Sequence, residues 1–333
     1  MTVAADPWSA QDSGSTKMSL ITQAFVLGAG LGTRLQPLTD DLPKPLVPIF
    51  QKPLITFAFD HLLAAGCDKL VVNTHRLPER FADVFPESLY RDKRILFLHE
   101  PEILGTGGGM KNAHRFFGSE PFVVYSGDIL TDFELAPLFG EHARAGNDVT
   151  LALRNTHFPP TIALQDGRVV DIGGKDEKIA KYDFANVSVW NRQIISRIPS
   201  GGSVSFIPTL LEAIKKGERI GGVVVNDGKW FNIGSAKEYL EVHRMVCEEQ
   251  WKPAYLDPNH QWPTRRAPSA VIDPTATLSG FYSLGANCRI EKGVRLRDTI
   301  VWPGAQIASR SVLENCIVRT HRTAEGTLRD AII

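Results

Sequence analysis

The chain has 333 residues, with 37 lysines and arginines against 37 aspartates and glutamates, so its formal net charge at neutral pH is zero. This length exceeds what one ordinary domain needs and suits two, and the balanced charge argues against nucleic acid or a membrane surface as the main partner. The four cysteines lie far apart, with no CxxC pair and no His/Cys cluster, which argues against a zinc site or a disulfide framework and favours a reducing, cytoplasmic setting.

The first segment, residues 1–20, is expected to be a disordered leader. It is mostly polar and lacks the apolar core of a secretory signal. The sequence has no run of 18 apolar residues, so no membrane-spanning helix is predicted.

Residues 21–249 are predicted to form an α/β domain, because short runs typical of strands alternate with segments of helical periodicity. This alternation indicates βαβ units and a mostly parallel sheet. The predicted strands are Gln23–Leu27, Lys69–Asn73, Ile95–His99, Phe122–Tyr125 and Val149–Leu153, and the helices between them include Ile55–Ala65 and Leu135–Ala145.

The second half of this domain is predicted to contain a hairpin that turns at Asp166-Gly167, followed by one further strand before residue 190. A helix near 206–216, a strand at Gly222–Asn226 and a helix near 235–249 complete it. Residues 250–270 then carry four prolines, which break both helix and sheet, so this segment is predicted to be a linker or an extended strap.

The C-terminal segment, residues 271–333, has a six-residue repeat. A repeat of this length is typical of a parallel β-helix whose aliphatic side chains stack inward; an irregular β-sandwich or meander is the alternative. A coil stack this short leaves open ends, so we expect a homo-oligomer formed through the β-helix. The repeated aliphatic residues are Ile272, Leu278, Leu284, Ile290 and Leu296, followed after an interruption at 302–304 by Ile307 and Leu313.

A glycine-rich loop follows the first strand, in the stretch LGAGLGTRLQPLTDDLPKP (residues 27–45). It departs from the dinucleotide fingerprint, which needs glycine where Thr33 stands and an acid at the end of the second strand. It also lacks the P-loop string. Instead, Arg34 and Lys44 place two cations beside backbone amides that can closely approach phosphate oxygens. The loop therefore predicts a polyphosphate site.

The stretch GAGLGTRLQPLTDDLPKPLVPI (residues 28–49) resembles the signature of the sugar-1-phosphate nucleotidylyltransferases, and the resemblance runs from about residue 22 to 247. The repeat behind it resembles that of family members such as the mannose-1-phosphate guanylyltransferases, which carry a left-handed β-helix. The resemblance implies a Rossmann-like, mostly parallel mixed sheet followed by a short left-handed parallel β-helix. It also implies Mg²⁺ as cofactor and the joining of an NTP to a sugar 1-phosphate, with release of pyrophosphate. GTP with mannose 1-phosphate is the leading pair, and UTP or another NTP is the alternative.

The resemblance assigns Arg34 and Lys44 to catalysis. A second glycine-rich stretch, Glu100–Gly109, is predicted to precede a helix at Met110–Phe117, and it supplies two further candidates for the nucleotide, with a merely tight turn as the alternative. The nucleotide-binding candidates are Leu27, Gly28, Ala29, Gly30, Gly32, Thr33, Gly105, Thr106 and Gly127.

Asp128 follows Gly127 at the carboxyl end of the fourth strand, where ligands bind in open α/β sheets. The resemblance makes it a catalytic residue and a Mg²⁺ ligand, and a helix N-cap is the alternative. The family's second metal carboxylate lies in a W-x-D-x-G motif, but this chain has Asn232 at the acid's place. That departure implies either weaker metal binding or a non-catalytic, ligand-sensing paralogue.

Two residues are candidates for the sugar phosphate. Lys175 is the nearest match to the family's Glu-Lys pair, and Asn186 matches its Asn-x-Gly stretch with Ser188 in place of the glycine. A one-step shift of alignment would put Asn186 on that glycine instead, and either residue could be an ordinary surface or strand polar group.

Overall fold

The computed structural model describes residues 21–173, 179–257, 259 and 261–333, and the predicted leader lies outside them. Within the described residues, the α-helices are α1 (Ile55–Ala64), α2 (Pro78–Val84), α3 (Gly105–Ala113), α4 (Ala136–Ala145), α5 (Arg192–Ile195), α6 (Ile207–Lys215) and α7 (Ala236–Glu248). The strands of the first 249 residues are β1 (Gln23–Leu27), β2 (Pro48–Ile49), β3 (Lys52–Pro53), β4 (Lys69–Thr74), β5 (Leu89–Tyr90), β6 (Lys93–His99), β7 (Phe122–Ser126), β8 (Ile129–Thr131), β9 (Val149–Arg154), β10 (Ile162–Gln165), β11 (Arg168–Ile172), β12 (Asp183–Trp190), β13 (Ile220–Val224) and β14 (Trp230–Asn232). The strands after residue 270 are β15 (Val271–Ile272), β16 (Thr277–Leu284), β17 (Arg289–Ile290), β18 (Arg295–Val301), β19 (Gln306–Ile307), β20 (Val312–Glu314), β21 (Ile317–Val318), β22 (Thr323–Ala324) and β23 (Thr327–Arg329).

One large mixed sheet organises the first 249 residues, with strand order β10-β11-β13-β9-β12-β7-β1-β4-β6-β5. Its centre, β7-β1-β4-β6, is parallel, and β12 runs antiparallel between β7 and β9. The central strands are apolar and buried on both faces, as parallel strands covered by helices must be. The predicted α/β class and the parallel core are confirmed.

The largest boundary error of the sequence prediction concerns α3. This helix begins at Gly105, five residues before the predicted start at Met110, and ends at Ala113. The amides of Gly107 and Gly108 both donate to the carbonyl oxygen of Val204, at 2.8 and 3.2 Å. A distant segment thus satisfies amides that a helix start leaves free, and this tertiary contact outweighs the poor helix propensity of glycine.

Aromatic side chains from the described part of the segment 250–270 pack onto the first domain. Trp262 is buried and donates its indole N–H to the Ile49 carbonyl at 2.9 Å, while the Tyr255 ring stacks on His61 with centroids 4.5 Å apart. Trp251 donates to Asp132 Oδ2 at 2.7 Å. We therefore propose a division into domain 21–249, strap 250–270 and domain 271–333.

The strands after residue 270 stack in parallel as successive coils, as a β-helix requires. Ile272 pairs with Ile290 and then Ile307, and Leu278 pairs with Leu296, which pairs with Leu313. All pairings between the named strands of this segment are parallel, which excludes the meander alternative within the described residues.

The predicted interruption of the repeat coincides with a one-residue change of register between neighbouring coils. Leu284 pairs with Val301, one residue before the strict six-residue position at Trp302. Trp302 is fully buried and donates its indole N–H to Tyr239 Oη at 3.1 Å. The register changes by one residue at an irregularity between Ser279 and Tyr282, and Trp302 lies outside the aliphatic stack, where it joins the two domains through α7.

Acidification is expected to destabilise this junction through His243 on α7, which is fully buried. Its Nδ1 donates to the Tyr239 carbonyl at 2.8 Å and its Nε2 accepts the Phe50 amide at 3.3 Å, so the ring is neutral. Burial lowers the pKa of His243 from 6.5 to about 4, against the opposing effect of the Tyr239 bond. Between these pH values the unfolded chain binds a proton that the folded chain excludes, so the free energy of unfolding decreases as pH falls, by up to ~1.4 kcal/mol per pH unit for one such group.

Urea unfolding at several pH values from 7 to 4.5 tests this expectation with a His243→Gln variant. Its amide can still accept the Phe50 N–H, but it does not titrate. We expect a shallower decrease of unfolding free energy with falling pH than in the parent chain. An unchanged slope would contradict the assignment. His61, whose pKa is also lowered to about 4 by burial, and His142, whose pKa burial lowers too, contribute to the slope that remains.

Candidate active site

The candidate site lies at the carboxyl edge of the parallel strands. Leu27, the last residue of β1, is in register with Asn73 on β4 and with Ser126 on β7. The chain segments that follow β1 and β7 therefore leave the sheet side by side, and the Gly127 amide donates to the Leu27 carbonyl at 2.9 Å. The topology brings the predicted glycine loop and the predicted Gly127-Asp128 turn to one place.

Gly28 is held by polar groups that sequence reasoning missed. Its amide donates to Asn73 Oδ1 at 2.9 Å, and Asn73 Nδ2 donates to Glu100 Oε1 at 2.8 Å. The other carboxylate oxygen of Glu100 accepts the Leu104 amide at 3.1 Å, and Glu100 is buried. In the sequence, each of these two positioning residues is a single polar residue at the end of a largely apolar strand, and this pattern could have identified them.

The glycine loop folds back so that Lys44 returns to the sheet edge. Gly32 has φ +64, a conformation that side chains rarely adopt, and its carbonyl accepts the Thr39 hydroxyl at 2.9 Å. A Cβ on Gly32 would lie 3.1 Å from Lys44 Cβ. Leu35 and Leu38, between the two cations, are fully buried in the core that joins the domains.

The predicted catalytic residues Lys44 and Asp128 are in direct contact. Lys44 Nζ lies 2.5 Å from Asp128 Oδ2, with the two side chains 7 % and 33 % exposed. A buried ammonium needs such a partner, because desolvation of an unpaired cation is costly. The carboxylate is the more accessible of the two groups, so it can also face an incoming ligand.

The segment carrying Asn232 closes the site on its other side. Strand β14 pairs with β8, which places Asn232 opposite Ile129, and the Ile233 amide donates to the Asp128 carbonyl at 3.3 Å. The Arg34 guanidinium lies against Gly234, with its Cζ 3.2 Å from where a Cβ would stand. The structure thus places Arg34 beside the segment that carries Asn232, and this segment lies against Asp128.

Asp128 and Asn232 fit a magnesium ion that binds together with the phosphates of a substrate. Among the described residues, no three His, Cys, Asp or Glu side chains form a ready-made metal site. Mg²⁺, however, commonly uses one or two protein ligands and completes its shell with waters and substrate phosphates. The Asp128 carboxylate and the neighbouring Asn232 amide match that donor set, with one negative charge fewer than two acids would supply.

The glycines at the start of α3 are approached closely by the chain itself. A Cβ on Gly105 would lie 2.7 Å from the Val204 carbonyl oxygen, and one on Gly107 would lie 2.9 Å from the Phe206 nitrogen. Thr106 Oγ1 accepts the Phe206 amide at 3.4 Å. Packing against residues 203–206 therefore already requires small residues here, and a role for Gly105 and Thr106 in nucleotide binding stays a prediction.

The sugar-phosphate candidates have different outcomes. Asn186 lies on β12 with φ +63, one residue before Val187, which pairs with Tyr125 near the carboxyl end of β7. Lys175 lies outside the described residues. Sequence reasoning missed Arg154, a buried cation at the end of β9 that donates to the Val225 carbonyl at 3.1 Å and borders a cavity of about 360 Å³. The sequence pattern that could have identified Arg154 is a cation at the end of a largely apolar strand.

Comparison with known proteins agrees with this geometry. The model of the family described as "Nucleotidyl transferase" matches residues 23–249, more than half of the chain. The chain belongs to this family. The resemblance noted in the sequence is thereby confirmed at family level, and this nucleotidyl transferase is a transferase enzyme.

Its relatives are similar over most of their length. A mannose-1-phosphate guanylyltransferase of Mycobacterium tuberculosis is 29% identical over 87% of this chain and 82% of its own. A UTP–glucose-1-phosphate uridylyltransferase of Synechocystis is 27% identical over 89% of this chain and 82% of its own. Among solved structures, the inositol-1-phosphate CTP transferase from T. maritima aligns with a TM-score of 0.57 at 18% identity, covering 66% of this chain and 91% of that one, which supports the fold alone.

No helix in the described part of the transferase has the length and apolar character needed to cross a membrane.

Two neighbouring glycines of the transferase are expected to respond differently to alanine. A Cβ on Gly28 would lie 2.7 Å from the Asn73 carbonyl oxygen, whereas one on Gly30 has no atom within 4 Å. We expect Gly28→Ala to lower the free energy of unfolding by about 1–3 kcal/mol, as overpacking does. We expect Gly30→Ala to keep the stability and to raise the KM for the nucleotide at least about tenfold, because a phosphate would meet the added methyl group.

Thermal unfolding and steady-state kinetics of both variants test the pair, with each serving as the other's control. Equal stability of the two variants would contradict the packing at Gly28. An unchanged nucleotide KM in Gly30→Ala would show that the loop amides lie away from the phosphates.

Proposed function

We propose that this protein transfers a guanylyl group from GTP to mannose 1-phosphate, giving GDP-mannose and pyrophosphate. The observation that carries the proposal is the contact of Lys44 with Asp128 at the sheet edge, with Arg34 of the same loop lying against the segment at Gly234. Several similar proteins that act on mannose 1-phosphate span most of this chain, among them enzymes of Mycobacterium tuberculosis and Arabidopsis thaliana, the latter 25% identical over 90% of it.

The reaction needs no nucleophile from the protein. An oxygen of the sugar phosphate, already ionised at neutral pH, forms a bond to the α-phosphorus of the NTP, while the bond from that phosphorus to the β-bridging oxygen breaks. Pyrophosphate leaves with the electron pair of the broken bond. Catalysis then consists of aligning the two substrates and neutralising the charge that develops.

Each residue of the site has a role in this scheme. Backbone amides of Gly30 and Gly32 bind phosphate oxygens, as do those of the adjoining loop residues Ala29 and Thr33. Leu27 and Gly28, whose own amide donates to Asn73 Oδ1 at 2.9 Å, form the base of the loop. Arg34 stabilises the departing pyrophosphate, and Lys44 lies near the α-phosphate.

Asp128, with Asn232 beside it, would hold Mg²⁺. The bound ion supplies positive charge to the phosphates. In the free site the Asp128 carboxylate is held by Lys44, so the lysine keeps it positioned before the substrates enter.

The remaining predicted contacts belong to the base and the sugar. We propose that Gly105, Thr106 and Gly127 line the base and ribose side, and that Lys175 and Asn186 contact the sugar phosphate. Arg154 joins this second group, since it is a buried cation on the strand beside β12.

Transfer of a uridylyl group is the second candidate. The Synechocystis relative is named for UTP and glucose 1-phosphate, and its similarity to this chain is close to that of the guanylyltransferases. We further propose a homo-oligomer formed through the domain 271–333, and a cytoplasmic location.

A matrix of four NTPs against several sugar 1-phosphates, with Mg²⁺ present, tests the proposed substrates. The kcat/KM of pyrophosphate release is expected to be highest for GTP with mannose 1-phosphate. A higher value for UTP with glucose 1-phosphate would favour the second candidate and reject the first.

A further inference from the structure

A single arginine of the C-terminal coils reaches the loop that carries both proposed catalytic cations. Arg319 Nη1 donates to the Pro37 carbonyl at 3.1 Å and to Asp41 Oδ2 at 3.0 Å. Its side chain is only 12% exposed, whereas that of Asp41 is 43% exposed, so the arginine is sheltered from solvent and its carboxylate partner lies at the surface.

The other side of the same arginine is fixed within its own domain. Both its backbone amide and its Nε donate to the Ile333 carbonyl, at 2.9 and 3.3 Å. Ile317, two residues earlier, is fully buried in the core shared between the domains. Arg319 is therefore held in position by its backbone and side-chain hydrogen bonds, unlike a flexible surface arginine.

The segment that it holds has few other polar anchors. Residues 36–41 lie between Arg34 and Lys44, and the polar contacts recorded for their side chains are Gln36 to Asp40 at 3.2 Å, Thr39 to Gly32, and Arg76 to Asp40 at 3.9 Å. Arg319 is thus a polar contact through which the C-terminal coils can set the position of this loop, in addition to the apolar packing of Leu35 and Leu38 in the shared core.

We propose that Arg319 is a positioning residue, which makes the C-terminal domain part of the active site by holding residues 37–41. It touches no substrate and acts through Arg34 and Lys44. The inference rests on the proposed roles of those two cations, and it adds that nucleotide affinity depends on a residue nearly 300 positions away along the chain.

Three variants of the full chain test the proposal. We expect Arg319→Ala to raise the KM for the NTP about tenfold with a smaller change in kcat, because a charge-assisted hydrogen bond is lost from the loop and not from the reacting groups. Arg319→Lys is expected to recover part of the loss. Arg329→Ala is the matched control: it removes an arginine from the same domain whose partner, Glu314, lies on the coil surface at 3.3 Å.

Hydrogen–deuterium exchange supplies a readout that does not depend on activity. Amides of residues 35–42 are expected to exchange faster in Arg319→Ala than in the parent chain or in Arg329→Ala, while the strands β1, β4 and β7 keep their protection. A merely structural role would raise exchange throughout the C-terminal coils and reduce the active fraction without changing KM.

Two outcomes overturn different claims. Parent-like exchange of residues 35–42 together with parent-like KM in Arg319→Ala would reject the positioning role alone. Full activity of an Arg34→Ala variant would instead reject the proposed function, whatever Arg319 does.

Discussion

Replacing Lys44 with alanine is expected to lower kcat about 10²–10³-fold, the scale on which removal of one preorganised charge-stabilising group acts. The ammonium lies 2.5 Å from Asp128 and is almost completely buried, so it is already oriented before substrate binds. Water cannot replace it effectively, because a mobile dipole must reorganise as charge develops at the α-phosphate. The measurement is pyrophosphate release at saturating NTP, sugar 1-phosphate and Mg²⁺.

The control for Lys44→Ala is Lys237→Ala, which removes an exposed lysine from α7 and is expected to leave kcat unchanged. Arginine at position 44 is expected to rescue poorly, since its planar guanidinium is larger and does not reproduce a compact ammonium. A kcat within about threefold of the parent for Lys44→Ala would be too close to the parent value for the proposed role.

The second large effect is expected from the carboxylate of Asp128. An Asp128→Asn variant retains the side-chain shape but loses the carboxylate charge that we propose for Mg²⁺ binding, so we expect kcat to fall about 10²–10³-fold at standard Mg²⁺. Part of the loss is expected to be recovered at higher Mg²⁺ concentrations. Thermal unfolding must accompany the assay, because the substitution also leaves the buried Lys44 without an anionic partner.

Adding a carboxylate at position 232 tests metal binding without removing the anionic partner of Lys44. Asn232→Asp adds a carboxylate beside Asp128, and we expect the Mg²⁺ concentration for half-maximal activity to fall about tenfold, which corresponds to about 1.4 kcal/mol. An Asn232→Asp variant whose Mg²⁺ dependence matches that of the parent would show that position 232 lies outside the metal's coordination shell.

Local patterns in the sequence predicted the sheet well. The strand Gln23–Leu27 has the predicted bounds, and the Asp166-Gly167 turn joins β10 to β11 with positive φ at both residues, as its composition indicates. The stacking of aliphatic residues in the C-terminal coils was also predicted. These features depend on neighbouring residues or on a strict period, which a sequence displays directly.

Features set by distant contacts were harder to predict. The early start of α3 depends on the Val204 carbonyl, about a hundred residues away along the chain. The packing of Trp262 on Ile49 and the hold of Arg319 on Pro37 join segments more than 200 residues apart. No local pattern encodes such pairings, because each residue would be equally acceptable on an exposed surface.

The candidate site was predictable in part, because some of its residues belong to local motifs whereas others depend on distant contacts. Arg34, Lys44 and Asp128 belong to short motifs at strand ends, and parallel strands bring such ends together. Asn73 and Glu100, which position Gly28, were missed because their hydrogen bonds to each other and to the Gly28 amide join separate segments that no local pattern pairs.

The most direct test of the central claim is pyrophosphate release by the purified chain from GTP with Mg²⁺, with and without mannose 1-phosphate. We predict release only when both substrates are present, one pyrophosphate for each GDP-mannose formed, and a loss of about 10²–10³-fold in Arg34→Ala. Release from GTP alone at the same rate, or no release with any NTP and sugar 1-phosphate, would contradict the assignment of this site to nucleotidyl transfer.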